Sequence, residues 1–157
     1  MMTRLRLTPA ALAVGLLALV ASLSACIPGP AGEVAVDHAR QQIGQPYTSG
    51  GSSPETGFDC SGLTSYAWKQ AGVTSIPRSS IDQYNWTERI GRDELAPGDL
   101  VFYGYDGRVG HVAIYAGNDT IIHARNSNYP VMENDINTYW TGNLIGYGRV
   151  PDHAMPD

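Results

Sequence analysis

Apolar residues along this chain recur at helical spacing in its first half and gather into short β-rich runs in its second. Over residues 33–43, Val36, Ala39 and Ile43 share one helical face. Glu33 opens the first turn and Gly44 follows at the stop, which predicts a helix over 33–43. Residues 45–57, rich in Gly, Ser, Pro and Thr, are predicted as loop. A second helix opens at Asp59-Cys60-Ser61 and runs to Ala71, with Leu63, Ala67 and Ala71 on its apolar face and Gly72 as its stop. Ser79 and Ser80 are placed to cap a short helical turn reaching Tyr84.

Beyond Pro97-Gly98 the period changes. Residues 100–103, 111–116, 120–124 and 144–150 read as strands. Gly117-Asn118-Asp119 is predicted to close a hairpin between the second and third. The segment before the last strand, with Tyr139-Trp140, is irregular. Helices followed by an antiparallel meander define an α+β class.

The start of the chain follows a different pattern. Arg4 and Arg6 precede an apolar run over 10–23 that ends in Leu23-Ser24-Ala25-Cys26. A positive start, an apolar middle and small residues at the exit form a secretory signal. The run is shorter than the roughly 20 apolar residues of a membrane span. The Leu-Ser-Ala-Cys ending resembles the bacterial lipobox, which implies lipidation of Cys26 as the first residue of the mature protein. The expected organisation is therefore a removed signal over 1–25, a tether over 26–32, one domain over 33–150 and a tail over 151–157.

Hydrophobic residues make up 43% and charged residues 16% of the 157, the profile of one domain able to bury a core. Loss of residues 1–25 removes Arg4 and Arg6 and no acidic residue, taking the net charge from -5 to -7. With no basic cluster, nucleic acid is excluded as the expected partner. The mature chain would keep two cysteines, Cys26 and Cys60. An exported protein this poor in cysteine is no disulfide scaffold.

Cys60 then has a chemical reading. In the first turn of a helix, free N–H groups and the helix dipole favour thiolate over thiol, and Asp59 is placed as the N-cap. A nucleophilic thiolate needs a base. With an odd hairpin loop, Ala116 faces Thr120 and Ala113 faces His123, so His111 and His123 are diagonal neighbours on one face of the sheet. A two-residue loop would separate them. The expected roles are His111 as general base and His123 as the group that orients it. A metal centre needs three or four ligands. Cys60, His111 and His123 supply three, with no Cys-x-x-Cys or His-x-x-x-His, so neither metal nor other cofactor is expected. His38 and His153 read as surface residues, and Trp68, Trp86 and Trp140 as core or groove wall.

Asp59-Cys60-Ser61-Gly62-Leu63, Pro97-Gly98-Asp99-Leu100-Val101-Phe102, His111-Val112-Ala113-Ile114-Tyr115 and Ile122-His123-Ala124 together resemble the NlpC/P60 family of cell-wall cysteine peptidases. The resemblance spans about residues 33–150. It implies a papain-like fold and hydrolysis of peptidoglycan stem peptides, with Cys60, His111 and His123 as the triad. It further implies Tyr47 beside the nucleophile, where its hydroxyl and the Cys60 N–H would hold an oxyanion. Asp59 and Ser61 would line the stem peptide, and Arg78 would meet a substrate carboxylate bidentately. Thr48-Ser49 stand where family members often carry an aromatic, which bears on the shape of the groove. The expected reaction is cleavage between D-γ-glutamate and the diamino acid. An amidase or acyltransferase on the same fold, or an inactive wall-binding module, are the alternatives. The expected partners are stem peptides and, through the N-terminal lipid, a bacterial membrane facing the wall. Targeting falls to the lipid or to a protein partner, and no regulatory partner has a signature in the chain.

Overall fold

The computed structural model describes residues 30–137 and 143–156. Helix α1 (Ala31–Arg40) buries Ala35, Val36 and Ala39. It takes Ala31 and Gly32 from the expected tether, because Gly32 lies directly against the Pro97 carbonyl. A Cβ there would come within 2.2 Å of that oxygen. At the other end, the bonds from the Gln42 N–H to Ala39 and from the Ile43 N–H to Arg40 tighten the chain into turns. The helix therefore stops before residue 43, and Ile43 is left 44% exposed instead of joining the core.

The predicted loop contains a small hairpin, β1 (Ser52–Ser53) with β2 (Gly57–Phe58), and leads straight into α2 (Cys60–Gln70). The Asp59 carboxylate caps α2 as expected, accepting from the Gly62 N–H at 2.7 Å. Helix α3 (Ser80–Trp86) is capped by the Ser79 hydroxyl and runs two residues past the predicted turn.

Six strands form one antiparallel sheet: β3 (Glu88–Ile90), β4 (Leu100–Tyr105), β5 (Arg108–Gly117), β6 (Thr120–His123), β7 (Met132–Asp135) and β8 (Leu144–Arg149). The spatial order is β3-β8-β4-β5-β6-β7. The meander holds from β4 to β7. The last strand then crosses back to pair with β4, so it lies on the far side from β6. Both strands that the sequence pattern misses, β3 and β7, are sheet edges. An edge strand needs no apolar alternation, and Glu88-Arg89 and Met132-Glu133-Asn134-Asp135 carry none.

Leu100, Phe102, Val112, Ile114 and Ile122 pack against α1 and α2, around Val36, Leu63, Ala67 and Trp68. The Trp68 indole donates to the Gly98 carbonyl at 3.1 Å, which makes it a core residue with its polar atom satisfied. The other sheet face carries Val101, Tyr103, Ala113, Tyr115 and Ile121. The expected tail is not one: Pro151 is buried, a 3-10 turn spans Asp152–Ala154, and Ala154 and Met155 pack on the helix-side core. His38 is half-buried and His153 exposed. Among the described residues no helix is long and apolar enough to cross a membrane.

Candidate active site

The site begins where the loop 48–58 meets the first turn of α2. The Asp59 N–H donates to the Gly51 carbonyl at 3.0 Å, which lays the loop on the helix start. Only glycine fits at the next contact, since a Cβ on Gly62 would stand 2.0 Å from that same Gly51 oxygen. Cys60 is thereby presented half-buried at the head of α2, as a free thiol. The backbone N–H groups of Val112, Ser61 and Cys60 itself lie near enough to its sulfur to favour the charged form. The Val112 contact seats the sulfur against β5, one residue from His111.

These donors favour a thiolate, as does the helix start, yet the balance goes the other way. Burial, helped by the Asp59 charge, pushes the Cys60 pKa above its ordinary value. The expected standing thiolate is thus overturned, because desolvation outweighs three backbone amides.

His111 and His123 share a face, by a route different from the predicted one. Asn118 and Asp119, both at positive φ (51° and 57°), form a two-residue turn with Gly117 opposite Thr120. That turn alone would put the histidines on opposite faces. A bulge between Tyr115 and Gly117 restores the offset, with Tyr115 opposite Ile121 and Ile114 opposite Ile122. Continued one pair, this register sets Ala113 opposite His123, as predicted.

The two rings meet at 2.9 Å between His111 Nε2 and His123 Nδ1, and His123 Nε2 lies 2.9 Å from Asn134 Oδ1. Asn134 stands opposite Ile121, so it is a diagonal neighbour of His123 on the same face. Both imidazoles are buried, at 4% and 0% exposure. Burial is the main cause that pulls His111 down to about 3, with the charges of His123 and Arg125 adding to it. Burial likewise pulls His123 down to about 4, against the Asn134 bond and with the Arg125 charge. Near pH 7 both rings are neutral, and this fixes their protons. Asn134 Oδ1 can only accept, so His123 Nε2–H donates to it. His123 Nδ1 then accepts from His111 Nε2–H, which leaves the lone pair of His111 on Nδ1.

Tyr47 is half-buried beside this group. Burial, and then the charges of Cys60 and Asp59, raise its pKa. It remains a protonated hydroxyl able to donate. Asp59, Ser61 and Arg78 bond to one another. Arg78 Nη1 donates to Asp59 Oδ1 at 2.9 Å and to Ser61 Oγ at 3.0 Å, and Nη2 to Asp59 Oδ2 at 2.8 Å and the Gly51 carbonyl at 3.2 Å. Burial raises the Asp59 pKa, but Arg78 and the N–H groups of Gly62 and Gly50 more than offset this, so the net shift is downward. The four terminal N–H groups of Arg78 are taken. The bidentate carboxylate partner expected from a substrate is supplied by Asp59 instead, and Arg78 straps the helix start to its loop.

Two residues of this assembly have no clear signal in the sequence. Asn134 sits on a polar edge strand without alternation. Gln83 is a fully buried amide on α3 whose Nε2 donates to the carbonyls of Ser61 and Pro77, while its Oε1 accepts from Thr64. A polar side chain facing the core of a seven-residue helix is the only trace Gln83 leaves. Cys26 and Trp140 lie outside the described residues. Among the described residues no group of three His, Cys, Asp or Glu side chains is placed to hold a metal ion.

Residues 44–149 match the NlpC/P60 family. The chain is 40% identical over 122 residues to the bifunctional muramidase/DL-endopeptidase CwlT of Bacillus subtilis, covering 75% of this chain and 36% of that protein. It is 41% identical over 123 residues to the murein DD-endopeptidase MepH of Escherichia coli, covering 75% of this chain and 45% of that protein. A crystal structure of an NlpC/P60 family protein from Bacillus cereus superposes with a TM-score of 0.73 at 34% identity, covering 80% of this chain and 42% of that one. The chain belongs to the NlpC/P60 family, and it spans between a third and a half of these curated relatives.

Proposed function

We propose that the protein is a peptidoglycan hydrolase, a cysteine endopeptidase that cuts stem peptides between D-γ-glutamate and the diamino acid. One observation carries this reading: an ordered His111–His123–Asn134 relay starts at the residue before Val112, whose N–H faces the sulfur of Cys60, the one cysteine among the described residues, at the head of a helix. His111 Nδ1 takes the Cys60 proton as the sulfur attacks the carbonyl carbon. The tetrahedral oxyanion is held by the Tyr47 hydroxyl and the Cys60 N–H. His111 returns the proton to the departing amine, leaving a thioester. Water, deprotonated by His111, hydrolyses the thioester and restores the thiol. His123, fixed by Asn134, keeps the His111 ring turned and stabilises the imidazolium that forms in passing.

The names of the relatives point to endopeptidases but to different bonds, DL in one and DD in another. Digestion of purified sacculi with mass analysis decides between them. The expected product is a disaccharide carrying L-Ala-D-Glu. Release of intact monomer stems from cross-linked dimers indicates a DD cut. Sugar chains stripped of the whole peptide indicate an amidase. No release by the wild type, together with no thiol alkylation at Cys60, indicates an inactive wall-binding module.

We infer further, from the ending Leu23-Ser24-Ala25-Cys26, that the protein is exported and held to a membrane by lipid on Cys26. The sulfur of a multiply acylated cysteine gives stable anchoring where one chain gives only marginal binding.

A further inference from the structure

The carboxylate that caps α2 works against the chemistry at the first residue of the helix. Asp59 Oδ1 accepts from the Gly62 N–H at 2.7 Å and Oδ2 from the Gly50 N–H at 2.9 Å, so the group both starts the helix and closes the loop before it. It is ionised near pH 7, as its lowered pKa requires. A full negative charge thus lies one residue from Cys60, at a helix start whose partial positive charge would otherwise favour a thiolate. The same charge opposes an oxyanion held at the Cys60 N–H.

Arg78 meets that charge directly. Its Nη1 lies 2.9 Å from Asp59 Oδ1 and its Nη2 2.8 Å from Oδ2, a planar pairing that neutralises the carboxylate while both capping bonds remain. Bonds to Ser61 Oγ at 3.0 Å and the Gly51 carbonyl at 3.2 Å fix the guanidinium further. The backbone around Arg78 is fixed too, because the Pro77 carbonyl accepts from buried Gln83 and Ser79 caps α3. The charge also reaches the nucleophile: the Arg78 pKa is raised, first by the bond to Asp59 and in smaller part by the charge of Cys60. The other titratable groups around Cys60 are neutral near pH 7. They are the Tyr47 hydroxyl on the loop and His111 on β5, one residue from the Val112 N–H that faces the sulfur.

We propose that Arg78 is a positioning residue that cancels the charge of the helix cap, so that negative charge develops on the Cys60 sulfur and the adjoining oxyanion without opposition from Asp59. For turnover this rests on the endopeptidase reading above; for the thiol it does not. It gives Arg78 a part in the reaction without contact with substrate.

The test is a charge cycle on the full chain, read as iodoacetamide alkylation of Cys60 at pH 7.5. Asp59→Asn keeps a cap, since asparagine serves there as well as aspartate, and leaves Arg78 unopposed. Arg78→Gln leaves Asp59 unopposed, and the double variant removes both charges. The Arg78 side chain is 42% exposed, so solvent screening keeps the effects modest. Arg78→Gln should react about threefold or more slowly than wild type, Asp59→Asn faster than wild type, and the double variant within about twofold of it. On a stem peptide, the loss in Arg78→Gln should fall on kcat rather than KM and be recovered in the double variant. Slow alkylation in both single variants, with no recovery in the double, marks a purely structural clamp and overturns the proposal. A rise in KM alone with alkylation unchanged marks a substrate ligand and overturns it too. If Arg78→Gln does not fold, Asp59→Asn decides: alkylation no faster than wild type overturns the proposal. Alkylation that follows the cycle in a protein that cuts no stem peptide supports the charge role and overturns the endopeptidase reading.

Discussion

A thiol and an imidazole that share a proton can rest as an ion pair or as two neutral groups, and burial favours the neutral form of both Cys60 and His111. The sign is the same from both partners. The Cys60 pKa is raised, so thiolate forms only at high pH, and His111 is lowered to about 3, so imidazolium forms only in strong acid. Activation must then come with substrate, by proton transfer during attack. Alkylation by iodoacetamide reads this directly. Its rate at Cys60 should be low near pH 6 and climb with a midpoint above the value of about 8.5 for an ordinary thiol. A rate that has already levelled off below pH 7 would show a standing ion pair. Cys60, His111 and His123 are legible in the sequence because the chemistry demands scarce residue types and this chain has few of them. Arg78, Arg125 and Asn134 are of types common on any surface. Only the fold shows that Asp59, 19 positions earlier, consumes Arg78, or that Asn134 stands diagonal to His123.

Elements place these residues by contacts that local pattern does not encode. The first turn of α2 is braced from one side by the loop carbonyl of Gly51 and from the other by α3, through Gln83. Gln83→Leu keeps the volume but strands the Pro77 carbonyl and removes a donor from Ser61, next to the nucleophile. Thr64 retains its own bond to Ser61, which limits the damage. The expected cost is about 1–3 kcal/mol, the range for leaving a buried polar group unpaired. It should appear as a lower urea midpoint at unchanged m-value, together with a fall in kcat. Unchanged midpoint and unchanged kcat would remove α3 from the brace. The β5–β6 hairpin makes a related point. Gly117-Asn118-Asp119 marks the turn and the strand bodies pair as the pattern predicts, yet the loop has two residues and the parity comes from a bulge at Ala116. Turn residues announce a hairpin, whereas a bulge is settled by what the paired faces bury. Here one face holds Ile114 and Ile122 and the other the two histidines.

Across the whole molecule, α2 runs from the candidate nucleophile to the side where the described chain begins. Cys60 stands at its first residue. Gln70 and Ala71, at its far end, line an apolar cavity of about 530 Å³ with Pro30, Val34 and Met155. The chain enters the domain there, at Pro30, four residues after Cys26. Eleven helical residues rise about 16 Å, so Pro30 and Cys60 sit toward opposite ends of that length. A cleft between Tyr47 and Tyr129 belongs to the other end, where the proposed stem-peptide substrate would enter. If Cys26 carries the anchor, attachment and chemistry are separable by one substitution. Cys26→Ser should move the protein from the membrane pellet to the soluble fraction after a salt wash. Its kcat/KM on a soluble stem peptide should stay within about twofold, because nothing at the nucleophile's end of α2 depends on the tether. A protein that still pellets after the wash overturns the lipid anchor. One that becomes soluble but loses activity on the soluble peptide overturns the separation of the two ends.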